Sequence, residues 1–384
     1  LNLIIISSLA GGKNPAEPIA PDAAPWLAAF VLLGGVLGAI GGVVGVKTRN
    51  PHTAVPVDPS RHLPAFSRVT AITVLLMLGA GGLVTSARAG LAVPDWPNSE
   101  GHFMVFYPLS HMTGGKFYEH AHRLYGVLTG LATAVLGFWI LARDPRRWVK
   151  GVALLAMLMV IVQATLGGLR VTGNLTTSQN PADLAPSSTL AIVHGVTGQL
   201  FFALIVAIAA IISLAWTRTG EQAVSTVGDE RAGTDRLFVR ILWAAVLLQV
   251  ALGALLRHVG GGKGVLHSHI TLGILVGGFA LFIKTRLVAI YKDRSPLLAR
   301  LGKGLEHLVW TQILLGFVAW AVGGGQGQVA DATPATTTLV MATIHQLLGA
   351  IVFAWVTLLA VWTLRLLRVA SPDTPNTPGT TSPA

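Results

Sequence analysis

Tyr118-Glu119-His120-Ala121-His122-Arg123-Leu124-Tyr125-Gly126 puts a carboxylate, two imidazoles and a guanidinium at the mouth of a long apolar run. Ionisable groups on a membrane helix are costly, so they are functional candidates by default. Part of the stretch recurs. His122-x-x-x-Gly126 reappears as His194-x-x-x-Gly198, His269-x-x-x-Gly273 and His345-x-x-x-Gly349. Each copy sits near the start of its own apolar segment.

Of the 384 residues, 52% are hydrophobic and 11% are charged. That balance belongs to an integral membrane protein, whose spans read as apolar runs of about 18 residues or more. There is no cysteine, which excludes disulfides, thiolate metal sites and iron–sulfur ligation. The net charge of +11 does not indicate nucleic acid, because the basic residues lie in short loops between apolar runs.

Residues 1–68 form an N-terminal segment. Its short apolar run, Leu1 to Ala10, lacks the basic flank of a signal peptide. An extra transmembrane helix is expected at about 26–46, followed by a Pro-punctuated linker. Eight core helices are expected near 69–87, 118–141, 149–170, 189–215, 238–257, 264–290, 302–322 and 338–364. Lys and Arg set the orientation. Twenty of the 27 lie in, or in the helix ends flanking, the loops after the extra helix and after the second, fourth, sixth and eighth core helices. By the positive-inside bias those loops and the C-terminus are cytoplasmic. Residues 369–384, rich in Pro, Thr and Ser, read as a disordered tail.

The odd core helices carry a partner pattern: Gln163-x-x-x-Gly167, Gln249-x-x-x-Gly253 and Gln312-x-x-x-Gly316, with Met77-x-x-x-Gly81 on the first. The fold class is therefore all-α and integral to the membrane. Its eight-helix core is two pseudo-symmetric four-helix bundles, 69–215 and 238–368, joined by a cytoplasmic linker at 216–237. Residues four apart share a helix face. Glycine one turn from each histidine would leave a flat gap for a macrocycle. Two histidines facing each other across a bundle would then supply both axial ligands of a heme iron. The pairs would be His122/His194 and His269/His345. Packing offers a plainer account, since His and Gly also serve as glue between membrane helices. Four copies at equivalent depth favour ligation. Two imidazoles per half, without Cys, make a thin site for zinc or copper.

Glu119 shares the face of His122, and the matching position before His269 is Leu266. A carboxylate there could act as acid/base or stabilise a cation, or simply favour a helix N-terminus. The asymmetry suggests one reactive heme and one that passes electrons. Arg88, Arg170 and Arg257, near outer helix ends, could pair with heme propionates or snorkel to the interface. Arg123 raises the same question. His120 and His267 turn away from the ligand face and read as non-ligands; His258 and His307 read as interfacial. The loop 88–117 has the length of a lid.

Gly81-Gly82-Leu83-Val84-Thr85, Gly90-Leu91 and Pro94-Asp95-Trp96-Pro97, followed by Glu119-x-x-His122-Arg123, resemble the heme A synthase family across about residues 69–364. The resemblance implies an oxidoreductase that converts a ring methyl of heme O, through hydroxylated intermediates, to the formyl of heme A for cytochrome oxidase assembly. It implies that substrate heme lies at His122, His194 and Glu119, with heme b at His269 and His345. It also implies a multi-pass protein of the inner (plasma) membrane with heme sites near the extracytoplasmic side. Expected partners are heme O, an electron donor or acceptor, the lipid bilayer, and possible contacts with heme O synthase and oxidase assembly factors. Many bacterial members carry a Cys pair in outer loops, and this chain has none. A diheme electron-transfer cytochrome and a heme carrier or assembly chaperone share the four histidines, but give Glu119 and the Asp-Trp loop no task. A prenyltransferase making heme O would need clustered Asp/Asn metal ligands in the inner loops, which are lacking.

Overall fold

A computed structural model describes residues 61–173, 187–218, 227–228, 231–259, 262–323 and 335–368. The expected extra helix at 26–46, the tail at 369–384 and part of the 216–237 linker lie outside them. The described chain folds into eight long helices: α1 His62–Ser86, α2 Gly114–Arg143, α3 Arg147–Thr172, α4 Ser188–Ile211, α5 Ala232–Val259, α6 Lys263–Tyr291, α7 Pro296–Val322 and α8 Thr336–Leu366. All eight are long and apolar enough to cross a membrane. Helices suit that setting because each satisfies its own backbone hydrogen bonds.

Several helices outrun the expected spans. α1 starts at 62 rather than 69, α5 at 232 rather than 238, and α7 at 296 rather than 302. Hydropathy marks the segment that fits hydrocarbon, and these helices continue beyond it into polar sequence. The fourth span behaves differently. It was expected to run to 215, but α4 ends at Ile211 and a five-residue helix, Leu214–Arg218, follows. Ser213 makes the break: its Oγ donates to Ala210 O at 2.6 Å and accepts from Trp216 N at 3.2 Å. A serine that competes for backbone groups in this way ends one helix and caps the next.

Helix contacts close two rings. α1, α2, α3 and α4 pack in sequence and α4 returns to α1; α5, α6, α7 and α8 do the same. Three contacts join the rings: α1 with α8, α4 with α5, and α4 with α8. Exchanging the halves turns the first into the second and the third into itself, which is the signature of a pseudo-two-fold axis passing between α4 and α8. Those two helices bury 44% of their apolar windows, against 11% for α7, so they form the centre.

Packing relies on notches, because lipid tails give apolar helices no hydrophobic reason to associate. Gly304 on α7 receives the Trp355 indole of α8, whose Nε1 donates to Leu301 O at 2.8 Å. A side chain at 304 would overlap that ring. At the ends remote from the 88–113 loop, buried Asp235 on α5 accepts from Tyr291 Oη at 2.6 Å and pairs with Arg286, both on α6. Gly304→Leu should destabilise the second ring by about 1–3 kcal/mol, the usual cost of overpacking. Thermal unfolding in detergent checks this, and an unchanged midpoint would contradict it.

Candidate functional site

The structure brings His122 of α2 to His194 of α4, with ring centroids 6.4 Å apart and planes at 87°. It brings His269 of α6 to His345 of α8, at 6.3 Å and 78°. These are the pairs expected from the repeat. Each ring rests on a glycine of the preceding helix. A Cβ would lie 2.9 Å from His122 Cε1 at Gly81, 3.3 Å from His194 Cε1 at Gly167, 3.1 Å from His269 Cε1 at Gly253 and 2.9 Å from His345 Cε1 at Gly316. The Nδ1 atom of all four is buried without a well-formed hydrogen bond. The acceptors facing the four rings are the main-chain carbonyls of Met77, Gln163, Gln249 and Gln312 respectively.

One expectation is corrected. The glycine one turn after each histidine does not leave a gap for a macrocycle. A Cβ at Gly126 would lie 3.3 Å from Met77 Cε, at Gly198 3.3 Å from Gln163 Oε1, at Gly273 3.1 Å from Gln249 Nε2 and at Gly349 3.1 Å from Gln312 Nε2. The partner helix fills each notch. The space that matters lies between the paired rings.

That space suits a heme iron. Two imidazoles bound through nitrogen to one metal, with bonds of about 2.0–2.1 Å, hold their centroids roughly 6 Å apart. Among the described residues no cluster of three His, Cys, Asp or Glu side chains could hold a bare metal ion. Two facing imidazoles match the protein ligands of a metal whose remaining ligands come from a macrocycle. The residues present therefore fit a heme in each half.

Beside His122 lies a polar network that holds the 88–113 loop. Glu119 is 4% exposed; its Oε1 pairs with Arg123 Nη2 at 2.9 Å and its Oε2 accepts from Val93 N at 2.9 Å. Arg123 Nη1 donates to Asp95 O at 2.7 Å and Asn98 O at 2.8 Å, and its Nη2 donates to Val93 O at 2.9 Å. Both terminal nitrogens of Arg123 are thus engaged, Nη1 by the loop and Nη2 by the loop and Glu119. Buried Asp95 accepts from Glu100 N at 2.6 Å and Gly101 N at 2.8 Å. Those two residues, with φ of 48° and 78°, form the two-residue turn of a hairpin pairing β1 Asn98–Ser99 with β2 His102–Phe103. Positive φ at both central positions is what such a turn requires. Trp96 sits over Gly168 of α3, where a Cβ would overlap its indole. The loop is a pinned cap, and His120 helps hold it through Ser99 Oγ at 3.1 Å and the Tyr107 ring.

The other arginines separate. Arg88 is exposed, with φ 55°. Arg170 is packed against Gly90, where a Cβ would overlap its guanidinium. Arg257 donates from Nη2 to Gly82 O at 3.0 Å and to Ser86 Oγ, and from Nη1 to Ala342 O at 3.3 Å. It ties α5 to α1 and α8, where Ser86 Oγ also meets Thr343 Oγ1 at 2.9 Å. That junction was not anticipated; Gly79, Gly82 and Ser86 along one face of α1 were its only signal. His267 and His307 are exposed, away from both pairs.

Glu100 gives the cap a pH dependence. Burial opposes its charge, but the Lys116 ammonium and the Tyr107 hydroxyl, 2.6 Å away, hold its carboxyl below the usual range. The stabilisation is therefore complete above the ordinary carboxylate pKa and is lost as pH falls through the lowered value. Limited proteolysis in the loop should accelerate at acid pH in the wild type and show a flatter pH profile in Glu100→Gln.

Comparisons with known proteins agree with this arrangement. Residues 107–377 match the family model described as Cytochrome oxidase assembly protein (COX15-CtaA). The chain is 26% identical over 283 residues to the protein named Heme A synthase from Beijerinckia indica subsp. indica, covering 64% of this chain and 75% of that protein. With more than half its length matched, the chain belongs to the COX15-CtaA cytochrome oxidase assembly protein family.

Proposed function

We propose that this protein is a heme A synthase. On this reading it oxidises a ring methyl of heme O to the formyl of heme A through hydroxylated intermediates. The observation that carries it is an asymmetry between the two histidine pairs: among the described residues, only His122/His194 has a buried carboxylate, Glu119, one turn away. His122 and His194 hold the substrate heme, and His269 and His345 hold a heme b. When bound, heme b supplies reversible one-electron transfer. A methyl and a formyl differ by four electrons, so the substrate site needs such a relay, an external electron partner and a route for protons.

Glu119 meets the proton requirement. It is excluded from water, shares a helix face with His122, and has both oxygens oriented by Arg123 and Val93 N. In this role it takes up protons released from the reacting carbon. The cap shields the reactive carbon from solvent. Arg170, packed beneath Gly90 and within electrostatic reach of Glu119, is the arginine best placed for a heme propionate. The bias of Lys and Arg toward the opposite loops supports an extracytoplasmic position for these groups, in the plasma membrane on this reading.

A diheme cytochrome or a heme carrier would leave Glu119 without a chemical task, and heme extraction separates these readings. Cells supplying heme O should yield heme A with the wild type. Glu119→Gln should keep both hemes and the fold while conversion falls about 10²–10⁴-fold, with heme O or hydroxylated heme accumulating. Undiminished heme A from that variant would remove Glu119 from the mechanism. Stoichiometric heme with no conversion by the wild type would favour the carrier.

A further inference from the structure

The helix pairs repeat one reciprocal contact four times, but the hydrogen bonds within it do not repeat. In the second half, Gln249 Nε2 donates to the main-chain carbonyl of His269 at 2.8 Å and lies 3.4 Å from its Nε2. Gln312 treats His345 alike, at 3.0 and 3.4 Å. Each glutamine grips a histidine by its backbone and flanks its ring. In the first half neither grip is made. Gln163 Nε2 turns to Thr197 Oγ1 at 2.6 Å, while that hydroxyl donates to Val193 O at 2.6 Å. Position 77 is methionine, whose thioether has no proton to donate. Thr197 lies three residues after His194; the corresponding residues after His122, His269 and His345 are Tyr125, Leu272 and Leu348.

We propose that Met77 and Thr197 make the first half an exchanging heme site, and that Gln249 and Gln312 make the second half a retaining one. The inference rests on the proposed function, in which one heme is substrate and must leave after conversion while the other stays as relay. For a bound heme to leave, the histidine ring would have to turn away from it, and a neighbour pinned to that ring and its helix turn would hinder this. A second hydrogen bond on the histidine carbonyl, with an amide against the ring, resists that movement. Thr197 holds Gln163 away from His194, and Met77 fills the Gly126 notch by shape alone. Both are positioning residues, since neither is placed as a ligand.

The test is heme transfer from the full-length, heme-loaded protein to excess apomyoglobin. The wild type should lose one heme quickly and one slowly. Thr197→Val frees Gln163 to grip His194, and Met77→Gln supplies the missing amide; each should slow the fast phase by about two- to tenfold, the effect of one hydrogen bond. Gln249→Met and Gln312→Met should speed the slow phase by a similar factor. The low-spin bis-imidazole spectrum, recorded for each variant, establishes that both ligands remain; a general loss of fold would alter it and both phases together. Thr197→Val and Gln249→Met change little in volume, so they carry the test if Met77→Gln folds poorly. Two equal rates in the wild type, or variants that leave their phases unchanged, overturn the inference while the proposed function stands. A wild type that binds no heme overturns both.

Discussion

The structure depends on the contact between an imidazole and a glycine on the neighbouring helix. Gly81, Gly167, Gly253 and Gly316 each let a histidine ring lie against bare backbone at 2.9–3.3 Å from the Cβ position. A side chain there would displace the ring and separate the helices. In a membrane that separation cannot be offset by hydrophobic burial, because lipid solvates an apolar helix as well as another helix does. Close approach of backbones does the packing, and the same approach aims the ring. Helix pairing and histidine orientation are therefore one requirement. Each ring faces its counterpart only because α1 holds α2, α3 holds α4, α5 holds α6 and α7 holds α8.

From that contact the rest follows in layers. Four helix pairs make two rings, and the rings join along α1–α8, α4–α5 and α4–α8. Arg257 secures one junction by donating across it to Gly82 and Ala342. Its buried charge meets only neutral acceptors among the described residues, and the hydrogen bonds to them offset part of the cost of removing it from water. Above the first ring, Arg123 does the complementary task of fastening the 88–113 loop by its carbonyls. Glu119 is thereby enclosed between a helix and a loop that share one guanidinium. Its position beside His122 is a consequence of how the cap is attached.

Much of this was legible in the sequence because membrane helices have few ways to fail. The apolar runs marked the eight core helices as well as the expected span at 26–46 outside the described residues, and the fourfold His-x-x-x-Gly marked the facing pairs. What could not be read were interactions between residues with no common period. Arg123 and Arg257 could be read as propionate partners or as snorkelling side chains, because an arginine near a helix end says nothing about which carbonyls it will meet. The glycine after each histidine looked like space, because a sequence shows that a side chain is missing and not what enters instead. Helix starts were placed late for a similar reason: hydropathy ends where hydrocarbon does, whereas α1, α5 and α7 continue into charged sequence.

A duplicated fold sharpens the meaning of its differences. Where both halves need the same geometry they keep the same residues, as in the four histidines and their eight glycines. Departures from the repeat then mark where the halves differ in task. Glu119 stands where the second half has Leu266, Met77 where it has Gln249, and Thr197 where it has Leu348. All three changes lie within one turn of a first-half histidine or its notch. None of them alters the helix frame, because each swaps side chains at a notch or on an existing helix face. One adds a carboxylate and the other two remove a restraint from an imidazole. Under the proposed function, such changes would let one scaffold hold a heme for electron transfer in one half and handle another as a reactant in the other.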